Sequence, residues 1–184
     1  MKKLSRRARI ITGGAVIGAV AAGAFGTVSA NASSPASAAA TPVASVKSGS
    51  VTTSSHLTID AATKAAQAAL DAAEKEGQKV TVAVVDRNGN AIVILRGDGA
   101  GPQSYESAER KAYTAVSWNA PTSELSKRLA QTPNLKDIPG TLFLAGGAPV
   151  AVNGAPVAGV GVAGAPSGDL DEKFAGAGVA ALSR

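Results

Sequence analysis

The chain has 184 residues, with 18 lysines and arginines against 13 acids, one histidine, no cysteine and aromatic residues at only 3%. Without cysteine there is no disulfide, thiolate nucleophile, iron–sulfur cluster or covalent haem attachment, and one histidine cannot make a histidine-based zinc motif. Lys2, Lys3, Arg6, Arg7 and Arg9 carry the whole charge excess, so residues 33–184 hold 13 charges of each sign; a neutral chain with no basic stripe or aromatic platform is not built for nucleic acid.

In chain order, that basic head precedes an uncharged run rich in Ala, Gly and Val from Ile10 to Val28. Two small-x-small sites close it, Val28-Ser29-Ala30 and Ala30-Asn31-Ala32. The run is about long enough to span a bilayer as a retained anchor, but its glycines and the small-x-small sites favour an export signal cleaved near residue 32, and Ser5-Arg6-Arg7 hints at the twin-arginine route. The expected product is secreted. Residues 33–55 are Ser-, Ala-, Thr-, Val- and Pro-rich with only Lys47 charged, the composition of a flexible leader. Residues 56–184 are long enough for one domain with a sizeable core.

Thr58 is placed to cap a helix in which Ala62, Ala65, Ala66, Ala69, Leu70 and Ala73 recur at helical spacing, with Gly77 as its stop. The period then changes. Val80–Val85 is β-branched, Asn88-Gly89 is a hairpin turn, and Ala91–Leu95 returns. Ser104 to Trp118 reads as a helix with a Glu106–Arg110 pair, and Thr122 is a candidate cap for a short one. A second hairpin runs from Ala148 through Asn153-Gly154 to Val162, and a last helical pattern spans Asp169 to Leu182. Two hairpins with helices before, between and after predict a single α+β domain, an antiparallel sheet with packed helices.

Six segments carry a resemblance. They are Val82-Ala-Val-Val-Asp-Arg-Asn-Gly-Asn90, Arg96-Gly-Asp-Gly-Ala100, Ser107-Ala-Glu-Arg-Lys-Ala-Tyr-Thr-Ala115, Pro121-Thr-Ser-Glu-Leu125, Leu144-Ala-Gly-Gly147 and Gly159-Val-Gly-Val-Ala-Gly164. In this order and spacing they resemble the GlcG/HbpS family, often labelled haem-binding or haem-degrading, over roughly residues 56–183. The nearest likeness is to its exported, haem-binding branch. The resemblance implies a profilin-like α+β fold, a homo-octamer, haem as ligand and a membrane sensor histidine kinase as partner.

A haem site needs an axial donor, an apolar slot and basic groups for the propionates. His56 is the only imidazole, though it sits where the leader meets the first helix. The helix 104–118 offers Tyr105, Tyr113 and Thr114 as oxygen donors, with Arg110 and Lys111 for propionates. Tyr113 and Thr114 point to different sides, so they cannot share one iron; the resemblance tilts the choice toward Thr114. Asp71 and Glu74, three apart on the first helix, could hold a hard ion such as ferric iron, or could simply form a solvated acidic patch. Gly159-Val-Gly161-Val-Ala-Gly164 has dinucleotide-fingerprint spacing, but it lies inside a predicted strand, where glycine more often marks close backbone approach.

The reading that follows is a secreted haem- and iron-binding protein that senses extracellular haem or redox state through the sensor kinase. The alternative is an enzyme that degrades haem or acts on a small hydroxy-acid-type metabolite, with Asp86, Glu109 or Lys111 as base candidates. A third is a particle whose assembly is itself the receptor ligand.

Overall fold

The computed structural model describes residues 44–183, so the expected signal and most of the leader lie outside the described residues. The described chain falls almost wholly in the unit Lys47–Arg184. Its first helix, α1, spans Ile59–Lys75, and the Thr58 hydroxyl accepts the Ala61 N–H at 3.2 Å as its cap. Six apolar side chains on one stripe are buried, five of them alanine, and Gly77 ends the turn at φ +69.

Strands β1 (Thr81–Asp86) and β2 (Ala91–Arg96) form the first hairpin, and β3 (Gly147–Val152) and β4 (Ala155–Ala163) the second. The four pair antiparallel in the order β2-β1-β4-β3, which joins the hairpins through β1 and β4. The fold is therefore the expected α+β domain.

Side chains alternate across the central strands. Val82, Val84, Val160 and Val162 enter one core with α1 and α4 (Gly168–Ala181), while Ala83 and Val85 pack with Ala108, Ala112 and Val116 of α2 (Gln103–Trp118). Helices thus cover both sheet faces. The glycines of β4 are what admit α2: a Cβ on Gly159 would sit 2.2 Å from the Ala112 carbonyl, and one on Gly161 2.1 Å from that of Ala108. The fingerprint-like glycines thus serve close packing under a helix.

The short helix α3 spans Thr122–Lys127, and Pro121, not Thr122, stands at its N-cap position with no side-chain cap. Thr122 is the first helical residue instead, and its hydroxyl is drawn away to accept the Gly147 N–H at 2.7 Å. Three 3₁₀ turns at Ser48–Ser50, Arg128–Ala130 and Pro133–Asp137 complete the described residues; their short segments carry no periodic pattern from which to expect them.

Candidate functional site

Most of the candidate donors lie on α2, and the helix sends them to opposite sides. Thr114 is fully buried. Its hydroxyl donates to the Arg110 carbonyl at 2.7 Å and accepts the Leu142 N–H at 2.8 Å, tying the 141–142 segment to the helix. Lys111 also turns inward. Its Nζ donates to Asp171 Oδ2 at 2.7 Å and to the Val162 carbonyl at 3.0 Å, in a pair whose side chains are 6% and 5% exposed. The other Asp171 oxygen accepts the Ala165 N–H at 3.0 Å. Burial pushes the Asp171 carboxyl above its ordinary range, against the opposing pull of the Lys111 hydrogen bond and charge.

Arg110 and Tyr113 face outward into one cavity of about 380 Å³, bounded also by Gly89, Glu109, Pro139 and Gly140. The Arg110 guanidinium donates to the Thr141 carbonyl at 2.7 Å and lies 3.5 Å from the Glu106 carboxylate, which fixes it beside the opening. The half-buried Tyr113 ring lies between the two glycines. A Cβ on Gly89 would approach it to 2.7 Å, and Gly89 itself turns at φ +90.

The remaining candidates stand apart from that cavity. Tyr105 is 49% exposed and about two turns toward the N-terminal end of α2. His56 stands over the β1–β2 turn, with Nε2 2.8 Å from the Ser54 hydroxyl and Nδ1 3.7 Å from Asp86 Oδ2. Asp86 anchors that turn by accepting the N–H groups of Asn88 and Asn90 at 2.8 and 2.9 Å. Burial alone would raise the Asp86 carboxyl, but these bonds, the Asn90 side chain and His56 hold it below its ordinary value. Asp71 and Glu74 are exposed on α1 and border different grooves, Asp71 beside α4 and Glu74 beside Gln78 and Asp98. Asp71 accepts the Gln67 amide at 2.7 Å. Among the described residues no three His, Asp or Glu side chains converge as a metal site.

Sequence reasoning did not single out Asp171 and Glu172. Asp171 reads as a first-turn acid complementing the dipole of α4, yet it is buried under Lys111. Glu172 accepts the Thr122 hydroxyl at 3.3 Å and the N–H groups of Ser123 and Gly146 at 2.9 and 3.2 Å, joining α3, α4 and the start of β3. For Asp171 the available signal was an acid at a helix position whose neighbours three and four along, Phe174 and Ala175, are apolar.

An accessible phenol, a fixed guanidinium and a slot floored by glycine can hold a flat, anionic oxygen-ligated group. The cavity is open, so such a group would stay partly exposed.

The family model of HbpS-like haem degrading proteins matches residues 57–180. The crystal structure of a Streptomyces reticuli HbpS double mutant is 75% identical, covers 77% of this chain and 97% of its own, and superposes with a TM-score of 0.75. That of a PduOC–haem complex is 26% identical over 69% of this chain and 95% of its own, with a TM-score of 0.63. An uncharacterized 15.0 kDa protein from the dhaT–dhaS intergenic region of Citrobacter freundii is 33% identical over 113 residues, 59% of this chain and 80% of that protein.

Proposed function

The chain belongs to the family of HbpS-like haem degrading proteins, and from that premise we propose that it binds ferric haem on the outer face of α2, in the cavity of Tyr113 and Arg110. The observation that carries this reading is the Tyr113 phenol, an oxygen donor open to a cavity that also holds an anchored cation. Ferric haem, when bound, supplies an iron centre whose ligand preference changes with redox state. Tyr113 would offer an oxygen ligand to the iron, and Arg110, already positioned by Thr141 and Glu106, would pair with a propionate through charge-assisted hydrogen bonds. Lys111 is committed to Asp171 on the other side of the helix and leaves the propionates to Arg110. Thr114, toward which the resemblance leans, could reach iron only by giving up the Leu142 N–H. Binding in so open a groove is loose and exchangeable.

In the same reading residues 1–32 export the chain, and the released protein, as a homo-octamer, reports haem or redox state to a membrane sensor histidine kinase. The basic-apolar-small order of the first residues and the resemblance to the exported branch support it. The exposed Asp71 and Glu74 are its sites for an iron ion.

A hemin titration of the purified protein, followed by absorbance, tests the haem site. Tyr113→Phe is expected to weaken binding about ten-fold or more, the worth of a bond to a charged partner, and to change the Soret band. Thr114→Val is expected to leave the band in place while costing about 1–3 kcal/mol of stability, because the partly buried Leu142 N–H loses its acceptor. A band lost in Thr114→Val but kept in Tyr113→Phe would move the ligand to Thr114, and no Soret shift at any ratio would sink haem binding altogether. The family's description favours a second reading, turnover of the bound haem. Decay of the Soret band with reductant, yielding a tetrapyrrole product, distinguishes it from simple binding.

A further inference from the structure

Two features of the inward side of α2 are left unused by the haem reading. The first is an open cavity of about 420 Å³ between the 144–145 segment and the start of α4, with Leu144, Ala145, Ala165 and Pro166 on its walls. The second is the Lys111–Asp171 pair, which forms part of the same wall. Buried ion pairs contribute little net stability for the desolvation they cost, so one kept at a cavity wall calls for a reason beyond holding the fold.

Lys111 has three N–H donors, and protein acceptors take two of them, Asp171 Oδ2 and the Val162 carbonyl. No other partner for its ammonium is found among the described residues. A buried ammonium with a spare donor on a cavity wall seeks an acceptor oxygen. Gly168 and Asp169, the first residues of α4, line the same space, and the first N–H groups of a helix have no intrahelical acceptor.

The sign of the wall narrows the choice of ligand. Lys111 is offset by Asp171, and Asp169 adds a further negative charge, so an anion gains no net attraction. The rest of the wall is mainly alkyl and suits an apolar body.

We propose that this cavity binds a small uncharged carbonyl compound whose oxygen accepts the third N–H of Lys111. The site is separate from the Tyr113 cavity, so its fate does not depend on haem binding.

The test is an NMR titration of the isotope-labelled protein with acetophenone, benzoate and ethylbenzene, three probes of one shape that differ in polarity and charge. Acetophenone is expected to give saturable amide shifts centred on Gly146, Ala165 and Gly168. Benzoate and ethylbenzene should bind about ten-fold more weakly or worse, since each lacks either neutrality or the acceptor. Lys111→Met, which keeps the side chain's length and removes the donor, should weaken acetophenone by a similar factor. Leu144→Trp, which fills the mouth and leaves the ion pair intact, should abolish the shifts. The proposal is overturned by the absence of saturable shifts, by benzoate or ethylbenzene binding as tightly, or by full affinity in Lys111→Met. Should Lys111→Met not fold, undiminished binding in Leu144→Trp overturns it alone.

Discussion

Asp86 shows how one side chain can set both a turn and a pH dependence. It caps the Asn88-Gly89 hairpin by accepting two backbone N–H groups, and His56 adds a third favourable neighbour. These bonds favour its ionised form, so the native carboxyl titrates below 3.8, its ordinary value. An acid whose native pKa is depressed contributes stability above its unfolded value, and that contribution disappears as pH falls through the native one. Urea midpoints of the wild type are therefore expected to fall more steeply below about pH 4 than those of Asp86→Asn. Parallel curves would show that the turn gains nothing from the charge. The hairpin itself was legible from Asn88-Gly89, and the Asp86 carboxylate as its anchor, though passed over, had a local signal too, because an Asp just ahead of a turn accepts N–H groups two or more residues on. Lys111 and Asp171 lie beyond local reading. They stand 60 positions apart, and each looks like an ordinary surface charge in its own helix.

Between α2 and the sheet, contact is decided by what the strand lacks. Alternating Gly159, Val160, Gly161 and Val162 put side chains toward α1 and α4 and bare backbone toward α2, where Ala108 and Ala112 complete the close approach. Gly161→Ala drives a methyl to 2.1 Å from the Ala108 carbonyl, so α2 must shift as a body. Overpacking of this kind costs about 1–3 kcal/mol or more, read as a lower urea midpoint. Gly176 is the control. It lies inside α4 with nothing within 4 Å of an added Cβ, and Gly176→Ala is expected to raise stability by about 0.5–1 kcal/mol. Equal effects at the two sites would mean that close packing under α2 contributes nothing. The strand glycines, and their role in close approach, could be read from spacing. Which helix they admit could not, since α1 and α2 both present alanine stripes and only the sheet order assigns α2 to that face.

For the whole molecule, charge bears on assembly. Residues 1–32, the segment proposed to be removed on export, carry the basic head, and without them 13 charges of each sign remain. Copies of such a chain neither repel nor attract one another through net charge. Among the described residues the outer edges of the sheet, on β2 and β3, are unpaired, and Ile92, Val93, Ile94 and Leu95 of β2 are only partly covered. Sheet edges of this kind are covered in stable proteins by other chain segments or by neighbouring copies. A homo-octamer assembled through apolar and backbone contacts should therefore keep its mass when salt screens the surface. Light scattering of the mature protein is expected to give eight subunit masses at low ionic strength and the same value near 1 M, where the screening length falls to about 3 Å. Dissociation on adding salt would assign the interface to charge pairs between subunits instead. A monomer at both salts would leave the sheet edges open to solvent and remove the octamer from the reading.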